Sequence, residues 1–561
     1  MQSKNITPLF TVSDQIVLDD IPLLQAQGVK ILICNRPDGE GPDQVAWAEL
    51  AQAAEAAGMQ VHCVPVVQDT INAADVRAFA RTLQDGVRIH AFCRSGARTT
   101  HLWALARLAD GAPVAELVAT AQSAGYDISA ITKRFASVIR ELTGALDALP
   151  VQQQSPLLII GGGAAGIALA SSLLKRAPGL QISIVEPSEE HWYQPGFTLV
   201  GGGVFAAERT RRSEASVMPK QVRWIKGAVT HILPELNQVV LADDTKLGYE
   251  RLVVCPGLKL NWAAVPGLAE TLGSNGVTSN YRPDLAPYTW QLVQGLKSGR
   301  AIFTQPTMPI KCAGAPQKAM YLSCDHWQQQ GVLKDIDVHF CNAGPVLFGV
   351  KDYVPALMQY VERYGAKLQF GHNLVKVDGA NRVATFATTG ADGKPALVEE
   401  KFDLLHAVPP QCAPDFIRNS SVADRAGWVA VDQHTLQHVK YTNIWSLGDV
   451  CSAPNAKTAA AVRKQAPVVA CNIIADISRQ SARYRYDGYG ACPLTVEKGR
   501  VVMAEFTYGG KLAPSLPSWL MQGTRPTWLG WLLKAVFMPA LYFDFMLRGR
   551  ELLVRPEQNQ G

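Results

Sequence analysis

Leu157-Leu158-Ile159-Ile160-Gly161-Gly162-Gly163-Ala164-Ala165-Gly166 decides the fold of most of this chain. Four consecutive aliphatic residues read as a buried parallel strand. Gly161, Gly163 and Gly166 fall on the G-x-G-x-x-G spacing that turns such a strand into a helix. Glycines permit the tight turn and let a pyrophosphate approach the N–H groups of the helix N-terminus. The next strand, Ile182-Ser183-Ile184-Val185, ends at Glu186, twenty residues past Gly166, where a carboxylate accepts from ribose hydroxyls. Gly161, Gly163, Ala165, Gly166 and Glu186 are therefore the expected dinucleotide-binding positions.

Upstream, strand and helix signals alternate. Val29 to Cys34 reads as a strand ending at the turn Asn35-Arg36-Pro37-Asp38-Gly39, and Val87 to Phe92 as another that runs into Cys93-Arg94-Ser95-Gly96-Ala97-Arg98. Thr99 or Thr100 is the expected cap of the helix that follows. The expected division is an α/β domain at 1–110, a helical connector and polar linker at 111–155, a dinucleotide-binding part at 156–510 with its cofactor regions at about 156–265 and 411–485, and an amphipathic segment at 511–561.

A net charge of +5 over 561 residues gives a nucleic-acid role no support. The N-terminus lacks an apolar signal core, which points to the cytosol. Eleven cysteines in that compartment are not a disulfide framework, so each needs its own context.

Thr442-Asn443-Ile444-Trp445-Ser446-Leu447-Gly448-Asp449 resembles the late segment of flavoproteins with two dinucleotide-binding domains. The resemblance implies FAD, held in part by Gly448, Asp449 and Lys457. A helix beginning near Thr458 would point its N-terminus at the flavin. The strand Arg300 to Thr304 is followed by Pro306 and Pro309 rather than a second glycine fingerprint, which argues against a nicotinamide donor.

The stretch Lys311-Cys312 to Leu322 resembles the sulfide:quinone oxidoreductases, as do His191-Trp192-Tyr193-Gln194-Pro195, Lys457 to Val462, Tyr486-Asp487-Gly488-Tyr489 with Cys492-Pro493, and Met538-Pro539 to Gly549. That resemblance covers roughly 157–550. It implies a redox pair, assigned here to Cys312 and Cys451. Hydrosulfide would attack at Cys451, electrons would pass by way of Cys312 to FAD and on to a membrane quinone, and a thiol or sulfite would take the sulfur. Lys311 and Lys318 would favour the Cys312 thiolate. Cys255 stays ambiguous, and Cys324, Cys341, Cys412 and Cys471 read as core thiols.

Cys93 and Arg98 enclose four residues, a ring of N–H groups that suits a persulfide, as in rhodanese-like sulfurtransferases. The domain also resembles the phosphatase-like domains of beta-lactamase hydrolase-like proteins, through Asn35 to Gly39 and the Cys93 loop. Phosphatases use five residues between Cys and Arg, so sulfur transfer is preferred, with Asp69 as the general acid of the phosphatase alternative. Cys93 is expected to receive sulfane sulfur from Cys451, directly or through a small thiol.

Gly530 to Leu547 is apolar but interrupted by Lys534, Pro539 and Asp544, leaving no clean span of ~20 residues. Helices lying in the bilayer interface on the cytoplasmic side are expected. Tyr489, Phe506 and Tyr508 are weaker candidates for a quinone-lining wall. A homo-oligomer is allowed. Competing readings are a type II NADH:quinone oxidoreductase, a dual phosphatase and flavoprotein, and a flavin and thiol sensor of sulfide stress.

Overall fold

A computed structural model describes residues 1–41, 44–390, 393–481 and 483–558, so the last three residues of the C-terminal segment lie outside it. The chain forms two compact units: Met1–Gln154 with Ala228–Tyr249 and Pro414–Ala430, and Ser155–Gly227 with Glu250–Ala413 and Val431–Gly561.

In the first unit a sheet runs in the order Lys4–Thr7, Phe10–Ser13, Ile89–Phe92, Ile31–Cys34, Gln60–Cys63, parallel apart from the first hairpin. Alternate residues of its strands feed two cores. Ile31, Ile33, Ile89 and Ala91 join one, while Leu32, Cys34 and Phe92 join the other, as a sheet covered on both faces requires. The 111–155 segment, expected as a connector, supplies Leu117, Ala121, Ile131, Phe135 and Val138 to the first of these cores. The expected linker at 152–155 is instead the beginning of the strand Val151–Ile160.

The second unit is a tandem dinucleotide-binding α/β fold. One parallel sheet aligns Arg223–Ile225 with Ile182–Val185, Ile182–Val185 with Leu157 to Ile160, and Leu252 to Val254 with Ile444–Ser446. The other has the order Val277–Thr278, Leu404–His406, Gly299–Gln305, Ile336–Asn342, Lys367–Phe370, all parallel. A hairpin of Gly490–Glu497 and Arg500–Phe506 sets Ala491 opposite Glu505 and Cys492 opposite Ala504. Its two faces diverge: Cys492, Leu494, Val502 and Ala504 enter the core of the second sheet, while Val501 and Met503 pack with Met521, Leu533 and Met538.

The C-terminal segment differs from expectation. Trp528–Arg548 is helical over 21 residues, long and apolar enough to cross a membrane by length and composition, with a third of its most apolar window buried. The interruptions do not break it: π-helical turns run over Leu533–Phe537 and Leu541–Phe545, with Lys534 turned inward and Asp544 exposed. Lys534 is 2% exposed and donates to the Pro195 carbonyl at 2.9 Å, and the Tyr542 hydroxyl lies 2.8 Å from His191 Nε2.

Candidate active site

The glycine turn forms as its spacing demands. Gly161 adopts φ +104°, and a Cβ there would stand 2.5 Å from the Cys255 carbonyl oxygen. A Cβ on Gly166 would stand 1.9 Å from the Gly161 oxygen, so only glycine lets helix Ala164–Arg176 pack on its strand. Gly163 differs, with open space where its Cβ would point. Glu186 receives the Gly162 N–H at 2.8 Å and the Ser188 N–H at 2.8 Å. Helix Ala459–Ile477 begins where expected, its N-cap Thr458 accepting from the Ala461 N–H at 3.2 Å.

Gly163, Ala165, Glu186, Gly448, Asp449 and Lys457 all line one cavity of about 500 Å³, together with Cys255 and Cys312. Burial raises the Asp449 carboxyl's pKa, opposed by the charges of Lys311 and Lys457. Thr198 Oγ1, Glu214 Oε1 and both amide atoms of Asn280 are buried in the cavity wall without a hydrogen-bond partner. Orphaned polar atoms around this cradle fit a large polar cofactor such as a flavin dinucleotide.

Cys312 stands on the cavity wall at the turn before helix Ala315–Gln329. It takes φ +49°, its N–H donates to the Lys457 carbonyl at 2.9 Å, and Tyr281 donates to the Lys311 carbonyl at 3.0 Å. Lys318, one helical turn in, donates to the Cys312 sulfur at 3.1 Å. Cys492 Sγ lies 3.6 Å from Cys312 Sγ, in the dithiol state. Gly314 makes room for it, since a Cβ there would stand 2.6 Å from the Cys492 sulfur. The Cys312 thiol's pKa is pushed well down, by the Cys492 contact first and by Lys318 and Lys534, while that of Cys492 is pushed up.

Cys451 sits in a turn of its own. Gly448 at φ +77° folds the chain so that the Cys451 thiol donates back to the Gly448 carbonyl at 3.2 Å, and burial raises its pKa. Lys457 bonds the carbonyls of Asp449 (2.6 Å) and Cys451 (3.0 Å), bracing this turn. Sequence reasoning passed over Cys492 although Cys492-Pro493 lay in a matching stretch; its place 180 residues from Cys312 is set by strand register alone.

In the first unit, Cys93 follows its strand and receives the Gly96 N–H at 3.1 Å, with Gly96 at φ +82°. Arg98 does not close the ring alone: it donates to Glu40 at 2.7 Å and to the Val66 carbonyl at 2.9 Å, and Glu40 also holds Arg36 at 3.0 Å. Neither threonine caps the helix. Thr99 bonds Asn35 Oδ1 at 3.0 Å and Thr100 bonds the Gly96 carbonyl at 2.9 Å. Asp69 is taken by Arg134 at 2.6 Å, in solvent. Of the three aromatics weighed for a quinone wall, Tyr489 lines the cavity, whereas Phe506 packs edge-on against Phe348 and Tyr508 donates to the Gln433 carbonyl at 2.6 Å.

A tandem dinucleotide cradle with Cys312 in its wall and a second thiol packed behind it defines a disulfide-type oxidoreductase. Residues 155–303 match the family described as pyridine nucleotide-disulphide oxidoreductase, and residues 2–110 the family described as beta-lactamase hydrolase-like protein, phosphatase-like domain. The chain is 41% identical over 397 residues to the mitochondrial sulfide:quinone oxidoreductase of Dictyostelium discoideum, covering 70% of this chain and 86% of that protein. It belongs to the sulfide:quinone oxidoreductase family. The solved sulfide:quinone oxidoreductase of Aquifex aeolicus shares its fold, at TM-score 0.60 and 19% identity, over 73% of this chain and 98% of that one. The N-terminal part is 34% identical over 135 residues to a beta-lactamase hydrolase-like protein of Agrobacterium fabrum, spanning 24% of this chain and 31% of that protein.

Proposed function

We propose that this protein oxidises sulfide at a Cys312–Cys492 pair, sends the electrons through FAD to a membrane quinone, and releases the sulfur to a thiol acceptor. The observation that carries the reading is the 3.6 Å approach of the Cys492 sulfur to that of Cys312, which lines the cofactor cavity beside Lys318.

Thiol–disulfide exchange proceeds fastest when the thiol of lower pKa leaves. Cys312 is that thiol, so hydrosulfide attacks Cys492, an S–S bond forms there, and the Cys312–Cys492 bond breaks. Cys312 departs as a thiolate held by Lys318, leaving a persulfide on Cys492. FAD, when bound, would supply the two-electron acceptor for the thiolate and persulfide and the electron donor to quinone. An acceptor thiol then takes the outer sulfur, and the disulfide is restored. Overall, hydrosulfide, a thiol, quinone and one proton give a persulfide and quinol. Gly163, Glu186, Gly448, Asp449 and Lys457 are the residues that would hold the cofactor.

Cys93 is assigned to sulfur transfer, receiving sulfane sulfur directly or through a small thiol; the N–H of Gly96 and a loop of four residues support it. The match of residues 2–110 to a phosphatase-like domain favours phosphate hydrolysis as a second reading. Thiosulfate:cyanide sulfurtransfer against release of p-nitrophenol from its phosphate, both in Cys93→Ser as control, separates the two. Peripheral attachment to the cytoplasmic face of the membrane is supported by the exposed Trp519, Trp528, Val536 and Phe537.

Anaerobic addition of sulfide, then of a short-chain quinone, tests the central reading by flavin absorbance. We expect bleaching and quinone-driven recovery in the protein and in Cys451→Ser, and no bleaching in Cys312→Ser or Cys492→Ser. Bleaching retained in Cys492→Ser but lost in Cys451→Ser would return the pair to Cys312 and Cys451.

A further inference from the structure

The face of the hairpin turned away from Cys492 carries an acid in an apolar pocket. Register places Glu505 opposite Ala491 and Met503 opposite Pro493, and all four line the cavity. Around them stand Leu516, Met521, Leu533 and Met538, with the helix Trp528–Arg548 forming one wall. An apolar slot of this kind takes an isoprenoid-like tail, and the exposed Trp519 and Trp528 lie on the segments that bound it.

Glu505 is 5% exposed, and its oxygens are gripped on one side only. Oε1 accepts from the Tyr489 hydroxyl at 2.5 Å and from the Ser515 hydroxyl at 2.5 Å, and Oε2 accepts from the Ser515 N–H at 3.1 Å. A carboxylate is acceptor-only when ionised and keeps further lone pairs; when protonated it gains one donor. Tyr489 continues outward: Lys464 Nζ lies 4.2 Å from its ring centroid, and Lys464 reaches Asp487 at 3.8 Å. Arg463 lies 6.0 Å from the same ring. The exposed Ser515 hydroxyl, the carboxyl and the cavity thus form a line from the surface to the pocket, with the buried Tyr489 hydroxyl bonded to both Ser515 and Glu505. Nothing in the sulfide chemistry uses it.

We propose that Glu505 is the catalytic acid of quinone reduction, with Tyr489 and Ser515 as the route by which it is recharged. The proposal rests on the quinone reading above. Quinone takes two electrons from the bound cofactor and two protons. Glu505 gives one proton to the carbonyl oxygen that docks beside it, breaking its own O–H bond as the quinol O–H forms. The other quinol oxygen takes its proton from water. Glu505 regains a proton from solvent through the Tyr489 and Ser515 hydroxyls, each of which donates one proton and accepts another.

The test reduces the flavin with dithionite, so sulfide chemistry has no part in it, and mixes the protein with a short-chain ubiquinone in a stopped-flow spectrometer. A general acid contributes typically 10²–10⁴-fold, so Glu505→Gln should slow reoxidation by about 100-fold or more. The quinone concentration at half-maximal rate should move little, and the solvent deuterium effect of the unaltered protein should be lost. Glu505→Asp should recover part of the rate. Tyr489→Phe and Ser515→Ala, which remove one hydroxyl each, should slow repeated turnover more than the first reoxidation. Reoxidation of Glu505→Gln at the unaltered rate would overturn the assignment. So would a loss that appears only as weaker quinone binding. If dithionite-reduced protein reacts with quinone as expected while sulfide fails to bleach it, the sulfide reading falls and the Glu505 assignment stands.

Discussion

Cys312 and Cys93 occupy the same kind of place, a turn that leads from a parallel strand into a helix, and yet their surroundings differ. Cys93 sits within four residues of its helix, takes one N–H from Gly96, and has its nearest motif cation, Arg98, tied up by Glu40 and the Val66 carbonyl. Cys312 has a lysine on its sulfur at 3.1 Å and a second thiol at 3.6 Å. A strand-to-helix turn supplies dipoles and N–H groups in both cases. What separates the two is the second shell: a cation free to meet the sulfur, and a partner sulfur brought in by another strand.

The sharpest way to break this contrast is to take the cation from each. An opposite charge at this range moves a pKa by roughly 1–3 units, so Lys318→Met should raise the midpoint of the pH-dependent alkylation of Cys312 by that much. The sign follows from the thiolate being the reactive form: with Lys318 present Cys312 reacts at lower pH, and without it only at higher pH. Arg98→Met should move Cys93 far less, because Glu40 already offsets that charge. Equal shifts at the two sites, read by mass spectrometry of iodoacetamide-labelled peptides, would abolish the distinction.

Next in size is the space for the partner sulfur. Gly314→Ala puts a methyl where the Cys492 sulfur and the Leu494 side chain now lie, at 2.6 and 2.3 Å. Overpacking of this kind costs about 1–3 kcal/mol. Since Gly314 is the turn residue before the helix, the strain should fall on the pair. We expect diamide to cross-link Cys312 to Cys492 in the unaltered protein and to fail in Gly314→Ala, at a modestly lower Tm. Retained cross-linking would mean that the hairpin yields and the glycine is not what admits the sulfur.

The two sites were also unequally legible. Much that is local could be read: the strand before Gly161, the carboxylate of Glu186 at the next strand's end, the Cys93 loop between strand and helix, and the helix starting at Thr458. Each depends on residues within about twenty positions of one another. Cys492 could not be read this way, because it is one residue of a buried strand and its meaning comes from the hairpin that delivers it to Gly314. The pairing of Cys312 with Cys451 came from the family resemblance, and its Gly448-Asp449 neighbour does line the cavity; in this structure the Cys451 thiol donates to the Gly448 carbonyl. The C-terminal helix was underestimated for a similar reason. Lys534 read as a polar interruption, and only the packed structure supplies the Pro195 carbonyl as its partner.

That helix gives the smallest expected effect, and it tests whether the two cysteine sites differ in their dependence on a membrane. Its inward groups anchor it to the second unit, whereas Trp528 and Phe537 are 58% and 49% exposed, and Trp519 nearby is 83% exposed. Fully burying a large apolar side chain is worth about 1.5–3 kcal/mol, so a half-exposed one contributes about 1 kcal/mol, or roughly fivefold in partition. Phe537→Ser should therefore lower sedimentation with phospholipid vesicles about fivefold, and Trp519→Ser with it should lower it further. Turnover with a long-chain quinone in vesicles should fall in step, while a water-soluble short-chain quinone and the alkylation of Cys93 should be unaffected. If vesicle binding survives both changes, the exposed aromatics are not the attachment surface. If Cys93 alkylation falls along with binding, its site too depends on this helix, and the separation drawn between the two cysteines fails.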